Sequence, residues 1–315
     1  MKSLFIISGG PGKEHEVSRS SGKNISQLLL EAGILYDAIF ITQEKRWVCG
    51  HVEMSEEEGI RFLKQHNALV FQCIHGTYGE DGELVSLLEE SGVAYIGSSS
   101  SALRLTIDKY ATEEILRSHG VRVPETVIIT GNNLEEVTLP FSFPVIIKPR
   151  DEGSSISLYK VKDENTLRQI IKEELSKRSE IMVQECILGR EVTCGVIEVD
   201  GELTALLPTE VVLTKGDMFD YQAKYTVGGC EEITPADVGE AATKRIKELA
   251  LRVNALCGCK DISRTDMIMK ENGELVVLEI NTVPGMTKTS FIPAQLKASG
   301  YDMVQFVQEM MKKYE

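Results

Sequence analysis

The chain has 315 residues, of which 42% are hydrophobic and 26% are charged, a balance typical of globular proteins with a sizeable core. This length predicts two or three domains, because a single hydrophobic core rarely grows so large. The net charge of −14 argues against a nucleic-acid-binding surface, which would carry basic patches, but a few local lysines could still bind a nucleotide.

Seven cysteines are scattered along the chain without a CxxC pair. This pattern indicates reduced thiols in a reducing compartment rather than a disulfide framework or a zinc site. The N-terminal run MKSLFIISGG is too short for a signal peptide. No apolar run approaches the roughly 18 residues of a membrane span. We therefore expect a cytoplasmic protein that contacts neither membrane nor nucleic acid.

The first ninety-odd residues alternate short apolar strands with amphipathic helices. Strands are predicted at residues 4–8, 36–42, 68–74 and 93–96, and helices at 18–32 and 82–91. This alternation is typical of a parallel sheet covered by helices. Because ligands bind at the carboxyl ends of such strands, we expect functional residues in Gly9–Glu16 and His75–Gly82.

The rest of the chain predicts mixed α and β structure. Helices are expected at residues 108–119, 165–174 and 237–257, and strands at 126–130, 145–148 and 181–185. A hairpin is predicted from 191–199 and 202–207 about Asp200-Gly201. Residues 214–231 form a long polar stretch with glycines, and a loop of this length in a compact domain is usually functional or disordered.

A second hairpin, at residues 264–281, is predicted by the strong turn signal Asn272-Gly273. With those two residues as the loop, the facing pairs are Glu271 with Glu274, Asp266 with Glu279, and Arg264 with Asn281. Side chains alternate along a strand, so the last two pairs share one face. Facing carboxylates repel one another unless a cation or proton is shared, and carboxylate and amide oxygens suit Mg²⁺. On charge alone, an exposed hairpin face with solvated charges is slightly favoured over a metal site.

A phosphate site is indicated where the apolar strand at 145–148 ends in Lys148 and is followed by Gly153-Ser154-Ser155. A lysine at the end of a buried strand can contact a ligand, and a Gly-Ser-Ser loop offers N–H and hydroxyl donors to phosphate. The alternative is an ordinary polar turn. The chain has neither a P-loop nor a complete GxGxxG motif, so any ATP site must be built differently.

Six groups of residues, taken in order, resemble the signatures of the ATP-grasp superfamily and, within it, of the D-alanine–D-alanine ligase family. They are Gly9-Gly10 with Glu14-His15-Glu16-Val17-Ser18; His75-Gly76 with Gly79-Glu80-Asp81-Gly82; Lys109; Lys148-Pro149 with Gly153-Ser154-Ser155; Asp220-Tyr221-Gln222-Ala223-Lys224-Tyr225; and Arg264-Thr265-Asp266 with Glu279-Ile280-Asn281-Thr282-Val283-Pro284-Gly285-Met286-Thr287. One such group is weak, whereas six in the right order over most of the chain are specific.

The resemblance implies an ATP-grasp fold of α/β and α+β class behind a Rossmann-like domain with a parallel sheet. The implied units are a substrate-binding domain at residues 1–97, a central ATP-grasp subdomain at 98–186, and a C-terminal one at 187–315 with the metal site and lid loop. It also implies a homodimer. The implied reaction uses ATP with two Mg²⁺ ions, for which Mn²⁺ is a substitute, to join two D-alanine molecules for peptidoglycan precursors.

The resemblance also implies individual roles. For the substrates, Glu14 binds the first ammonium near His75, Arg264 and the Gly285 N–H stabilise the oxyanion, and Ser290 with Lys224 binds the second carboxylate. Ser154 and Tyr225 link to Glu14 and close the lid. For ATP, the implied residues are Lys109, Lys148, Ser154, Ser155 and Lys224 at the phosphates, and Glu185, Cys186, Ile187, Leu188 and Glu191 at the adenosine. The metal ligands are Asp266, Glu279 and Asn281.

Some positions depart from the family pattern. Ser157 stands where glycine is common, Pro11-Gly12 is unusual in the first loop, and Cys186 and Ile187 occupy a hinge that often has a lysine and a bulky aromatic residue. The lid sequence has no histidine, which implies amide rather than ester synthesis, and D-serine stays open as a second substrate.

Three other functions compete with this interpretation. Another ATP-grasp carboxylate–amine ligase should lose the set Glu14, Ser154, Tyr225 and Ser290, all of which are present. A non-catalytic nucleotide-binding protein on the same fold should lose a metal ligand or Arg264, and neither is lost. A Rossmann-type oxidoreductase is disfavoured by the incomplete glycine pattern. Glu14 alone could also be a helix N-terminal acid favoured by the dipole.

Overall fold

The computed structural model describes residues 2–133, 138–153, 157–214 and 229–315. Within these ranges, three β-sheets follow one another along the chain and helices pack against them. This mixed architecture agrees with the predicted fold class. No helix in the described ranges is both long enough and apolar enough to cross a membrane.

The first sheet has six strands in the order β4-β3-β2-β1-β5-β6. They are β1 Ser3–Gly9, β2 Asp37–Ile41, β3 Trp47–Cys49, β4 Val52–Met54, β5 Ala68–Gln72 and β6 Ala94–Ile96, with helices α1 His15–Glu31, α2 Glu56–Gln65 and α3 Glu83–Ser91. The predicted parallel pairing of β1, β2, β5 and β6 is confirmed. The sequence does not predict the antiparallel edge of β3 and β4, because such short strands show no clear alternation.

The second sheet has four antiparallel strands in the order β7-β10-β8-β9. They are β7 Thr126–Thr130, β8 Val145–Lys148, β9 Tyr159–Val161 and β10 Glu180–Glu185. Helices α4 Ser100–Ile107 and α5 Lys109–Ser118 precede the sheet, and α6 Glu164–Leu175 packs on it through Leu167 and Ile171. The predicted helix at 108–119 begins at Lys109, because the Asp108 side chain caps it by accepting from the Ala111 N–H.

The third sheet follows the order β14-β13-β11-β15-β16, with β12 paired to β11. Its strands are β11 Arg190–Val199, β12 Glu202–Ala205, β13 Thr209–Leu213, β14 Cys230–Ile233, β15 Ile262–Met269 and β16 Leu275–Asn281, and helices α7 Glu240–Leu256, α8 Phe291–Ala298 and α9 Met303–Lys313 complete the chain. The predicted hairpin about Asp200-Gly201 is present as β11 and β12.

The cores are shared between distant parts of the chain. Ile292 of α8 and Phe306 of α9 pack in one cluster with Leu4 and Phe71 of the first sheet. Leu116 of α5 packs in another cluster with α7, which belongs to the C-terminal part. The segment 98–186 therefore contributes to more than one core, and the domain boundaries stay predictions.

The turn of the second hairpin differs from its prediction. Lys270, not Glu271, faces Glu274, and Glu271, Asn272 and Gly273 form the loop, with Gly273 at φ +80°. A bulge then shifts the register between Asp266 and Met267, so β16 contains one additional residue, Leu278. The bulge restores the predicted pairs Arg264–Asn281 and Asp266–Glu279. The loop prediction was wrong and the pairing was correct, because the two offsets cancel.

Candidate functional site

Two adjoining cavities lie where the three sheets approach one another. The first cavity encloses about 540 Å³ and lies between the loops that follow β1, β5 and β16. The second encloses about 460 Å³ and lies between the second and third sheets. Both are lined by Lys109, Gly153, Arg264, Glu279 and Phe291. A ligand in one cavity would therefore meet a ligand in the other at a strongly charged junction.

Every predicted site residue in the described ranges lines one of these cavities. The first is lined by Glu14, His75, Lys109, Arg264, Glu279, Asn281, Gly285 and Ser290. The second adds Lys148, Glu185, Cys186, Ile187, Leu188, Glu191 and Asp266. Ser154, Ser155, Lys224 and Tyr225 lie outside the described residues. The structure brings these side chains together, and their individual roles stay predictions.

The Glu14 carboxylate occupies a tight backbone niche at one end of the first cavity. A Cβ atom on Gly76 would lie 2.6 Å from Glu14 Oε2, and one on Gly153 would lie 3.1 Å away. Gly76 also has φ +67°, a conformation that favours glycine. Glycine at position 76 therefore allows the loop after β5 to approach Glu14 closely.

A second carboxylate, Glu80, lies near Glu14 in the first cavity. The Gly76 N–H donates to Glu80 Oε2 over 2.9 Å. Burial raises the pKa of Glu80 to about 8, and the charge of Glu14 adds to the shift. Two acidic groups in one cavity favour a cationic ligand such as an ammonium group. Glu80 belongs to one of the family signatures, but no role was predicted for it from the sequence.

His75 is buried behind these carboxylates. Its Nε2 lies 3.1 Å from the Ser21 hydroxyl, and its backbone N–H donates to the Ser18 hydroxyl over 2.9 Å. Burial lowers the pKa of His75 to about 4. The imidazole is therefore neutral at physiological pH, and it contributes hydrogen bonding rather than charge to the cavity.

The opposite wall of the first cavity is built by the turn that follows β16. The Thr287 N–H donates to the Ser290 hydroxyl over 3.0 Å, and the two hydroxyls lie 2.8 Å apart. A Cβ on Gly285 would lie 2.7 Å from Ser290 Oγ. The glycine thus allows the hydroxyl of Ser290 and the backbone of residue 285 to line the same wall.

The hairpin face between the cavities carries closely paired charges. Arg264 donates to both oxygens of Asp266, over 2.9 and 2.8 Å. Lys109 Nζ lies 3.7 Å from Glu279 Oε2. The Asn281 oxygen accepts from the Val283 N–H over 2.9 Å. The two facing carboxylates are thus each neutralised by a cationic side chain.

This face fits a divalent cation that prefers oxygen ligands. Asp266 and Glu279 are directly opposite each other, and Asn281 follows on the same strand. Within the described ranges, no group of three or more His, Cys, Asp or Glu side chains is arranged to hold a metal ion. A metal ion here would therefore take its remaining ligands from Asn281, from phosphate oxygens or from water.

The second cavity combines a buried lysine with a polar hinge. Lys148 ends β8, and burial lowers the pKa of its ammonium group. At the hinge, Glu185 accepts hydrogen bonds from Arg122 over 2.6 Å and from the Glu125 N–H over 3.1 Å. Both donors bind Oε2 of Glu185, and the Glu185 backbone N–H donates to the Glu125 carbonyl over 3.0 Å, so these contacts tie the hinge to the segment before β7.

The chain is similar over nearly its whole length to proteins of known function. The family model for the D-ala D-ala ligase C-terminus matches residues 116–312. The D-alanine–D-alanine ligase of Thermotoga petrophila is 33% identical over 314 residues, covering 98% of this chain and 96% of the relative. The chain belongs to the D-alanine–D-alanine ligase family. Enzymes of this family are ATP-dependent ligases that use a divalent metal ion, and this chain is such a ligase.

Solved structures agree with this family. VanG D-Ala:D-Ser ligase from Enterococcus faecalis has a TM-score of 0.85 and 29% identity, covering 100% of this chain and 99% of that one. The D-alanine–D-alanine ligase from Coxiella burnetii has a TM-score of 0.80 and 25% identity, covering 99% and 93%. The ATP-grasp fold predicted from the family signatures is therefore confirmed.

Several residues that line the site were not predicted from the sequence, because no motif contains them. Phe291 lines both cavities, and the Arg264 guanidinium lies 5.3 Å from its ring centroid. Leu278 lines the second cavity beside Glu279, because the bulge turns both side chains toward it. The Thr193 hydroxyl donates to Asp266. The position of Leu278, directly before the predicted metal ligand Glu279, was the only sequence signal for its role. The bulge that turns its side chain toward the cavity has no sequence signal.

Proposed function

We propose that this ligase phosphorylates the carboxylate of D-alanine with ATP and then joins it to the amine of a second D-alanine. The product is the D-alanyl-D-alanine dipeptide of peptidoglycan precursors. The observation that carries the proposal is the junction of the two cavities at Lys109, Arg264 and Glu279. An acidic niche suited to an ammonium group lies on one side, and a lysine-containing cleft suited to a nucleotide lies on the other.

ATP is proposed to occupy the second cavity. The main chain through Leu188 would bind adenine beside Glu185, Cys186 and Ile187, and Glu191 would bind the ribose hydroxyls. Lys109 and Lys148 would bind the phosphates, because both ammonium groups line this cavity. Ser154, Ser155 and Lys224 are assigned to the phosphates by family resemblance.

The metal site is proposed for the hairpin face. Asp266, Glu279 and Asn281 would hold two Mg²⁺ ions, with Glu279 shared between them and Mn²⁺ as a possible substitute. When bound, such ions neutralise phosphate charge. Arg264 and Lys109, which contact the same carboxylates, would bind substrate oxygens.

In the first step, a carboxylate oxygen of D-alanine forms a bond to the γ-phosphorus while the bond to ADP breaks. Glu14 and Glu80 would hold the ammonium group of this substrate, with His75 behind them. In the second step, the amine of the second amino acid attacks the acyl carbon and phosphate leaves. Arg264 and the Gly285 N–H would stabilise the oxyanion, and loss of one such donor typically lowers the rate by about 10²–10³-fold.

The second amino acid is proposed to lie against Ser290, whose hydroxyl would bind its carboxylate together with Lys224. Ser154 and Tyr225 would link to Glu14 and close the site. Exclusion of water matters because the acyl phosphate would otherwise hydrolyse. A cytoplasmic homodimer and domain boundaries at 97/98 and 186/187 complete the proposal.

The test is phosphate release from ATP and Mg²⁺ with D-alanine, L-alanine, D-serine or D-lactate supplied singly. We expect release with D-alanine alone, accompanied by the dipeptide in the mass spectrum. Release with none of the D-substrates would overturn the substrate assignment and leave the family membership standing.

A second candidate reaction joins D-alanine to D-serine. The whole-chain similarity to a D-Ala:D-Ser ligase favours it. So does Glu232 of β14, which lines the first cavity and interacts electrostatically with Arg264. Its carboxylate could accept a hydrogen bond from a serine hydroxyl, which the methyl group of alanine cannot donate.

Competition between D-alanine and D-serine at equal concentration separates the two reactions. If D-serine is the second substrate, D-Ala-D-Ser predominates, and Glu232→Leu shifts the product ratio toward D-Ala-D-Ala. A predominance of D-Ala-D-Ala that Glu232→Leu leaves unchanged eliminates this candidate.

A further inference from the structure

Glu113 of α5 is a carboxylate that lies behind the second cavity and that the reaction does not use directly. Its side chain is 2% exposed. Buried carboxylates are uncommon unless they are paired or hydrogen-bonded. The position is one helical turn after Lys109, so both side chains lie on the same face of α5.

Two neutral donors fix the Glu113 carboxylate. The Thr126 hydroxyl donates to Oε2 over 2.6 Å, and the Gln184 amide donates to Oε1 over 2.6 Å. Thr126 and Gln184 face each other across β7 and β10. The carboxylate thus ties α5 to two strands of the second sheet, and both of its oxygens are occupied.

The cationic partner of Glu113 is Lys148. Its Nζ lies 3.9 Å from Glu113 Oε1, and its side chain is 11% exposed. Burial lowers the pKa of Lys148, and repulsion from Lys109 adds to this shift. The charges of Glu113 and Glu279 oppose it. Lys109 and Lys148 therefore lie near each other with a carboxylate that offsets their repulsion.

We propose that Glu113 is a positioning residue for the nucleotide, which holds the Lys148 ammonium charged and directed at the phosphates. The inference rests on the proposed role of Lys148 in ATP binding. Through Glu113, α5 controls both lysines, because it carries Lys109 itself and fixes Lys148 from behind. A purely structural role, as a link between α5 and the sheet, is the competing explanation.

The test compares the binding of ATP and AMP by Glu113→Gln, measured by calorimetry without turnover. AMP lacks the β- and γ-phosphates that Lys148 would contact. We expect about a tenfold or greater loss of ATP affinity, the effect of one lost contact to a charged group, and less than about a twofold loss of AMP affinity. Equal weakening of both nucleotides, or of neither, overturns the proposal.

A double-mutant cycle with Lys148→Met makes the test specific. In that background Glu113→Gln should change ATP affinity by less than about twofold, because its only route to the phosphates is gone. A structural link would weaken ATP equally in both backgrounds. If Glu113→Gln does not fold, Glu113→Asp is used with the same criteria, since it retracts the carboxylate from Lys148 by one methylene group.

The control is Asp261→Asn. Asp261 is fully buried and accepts from Lys313 and Tyr314 over 2.6 and 2.8 Å, and it lines neither cavity. Its φ of +59° is a conformation that asparagine tolerates. We expect lower thermal stability with unchanged ATP and AMP affinities. If the unaltered chain binds no ATP, the proposed function fails as well; if it binds ATP and makes dipeptide, only the role of Glu113 is at stake.

Discussion

The two cavities are organised in different ways. In the first, charged side chains lie close to backbone: a Cβ on Gly76 or Gly153 would lie 2.6 or 3.1 Å from the Glu14 carboxylate, and Glu80 accepts from the Gly76 N–H. In the second, Lys148 depends on Glu113, a side chain from a different element that lies behind the cavity wall. The first arrangement depends on short motifs of neighbouring residues. The second forms only when elements that are distant in the chain pack together.

This difference explains which residues could be assigned from the family signatures. Only glycine fits where a Cβ would collide with a neighbouring side chain, so the residues of the first cavity form a recognisable sequence motif. The residues that position the side chains of the second cavity, such as Glu113, need only a suitable charge and volume. The hinge residues Cys186 and Ile187 depart from the family pattern. We therefore expect substitutions in the first cavity to affect amino-acid use and those in the second to affect ATP use.

The largest effect is expected where the cavities meet. Glu279→Gln removes a carboxylate that lines both, so binding of the metal ion and of both substrates should suffer together. We expect a loss of dipeptide synthesis on the order of 10³-fold, measured by coupled phosphate release. Glu274→Gln, at the other end of the same hairpin and paired only with Lys270 in the described structure, serves as the control and should retain activity.

Gly76→Ala should affect the function of the first cavity and leave that of the second unchanged. Its Cβ would displace the flexible end of Glu14, which lies 2.6 Å away. We expect about a tenfold rise in KM for D-alanine with unchanged ADP affinity. Gly92→Ala is a matched control, because Gly92 has the same φ of +67° but nothing within 4 Å of a Cβ. If Gly92→Ala raises KM for D-alanine as much as Gly76→Ala does, backbone strain and not the clash with Glu14 causes the rise.

Glu80→Gln tests the electrostatics of the first cavity by its pH dependence. The folded-state pKa of about 8 lies above the ordinary value of 4.5, so between pH 4.5 and 8 Glu80 ionises in the unfolded chain but stays protonated in the folded chain, and the stability of the fold falls as pH rises. The variant cannot ionise, and its stability advantage should grow over that window and level off above pH 8. Thermal melts should show a shift of about 2–4 °C per kcal/mol. An advantage that is larger at pH 5 than at pH 8.5 contradicts the assignment.

Cys186→Ala should have the smallest effect. The thiol is half-buried in the second cavity, where burial raises its pKa, and the proposed adenine contacts there are mostly with the main chain. We expect KM for ATP to change by less than about threefold, below 1 kcal/mol, with KM for D-alanine unchanged. A large rise in KM for ATP would mean that the hinge side chain, not the backbone, binds adenine.

The sequence predicted the parallel part of the first sheet and the facing pair Asp266–Glu279, because alternation and turn signals act locally. It did not predict the antiparallel edge at β3 and β4, whose strands are too short to show a period. The three-residue loop and the bulge at Leu278 were missed because register shifts depend on packing across the sheet. Glu113 and Phe291 were missed for the same reason, since their partners are distant in the chain.

Oxygen transfer from D-alanine labelled with ¹⁸O in its carboxylate reports which atom of ATP the carboxylate attacks. If the carboxylate attacks the γ-phosphorus at the junction of the two cavities, one labelled oxygen leaves with each phosphate released as the dipeptide forms. We expect one ¹⁸O in phosphate per dipeptide and none in AMP, which would be labelled only if the carboxylate attacked the α-phosphorus. Unlabelled phosphate alongside dipeptide, or label in AMP, would show that the carboxylate does not attack the γ-phosphorus.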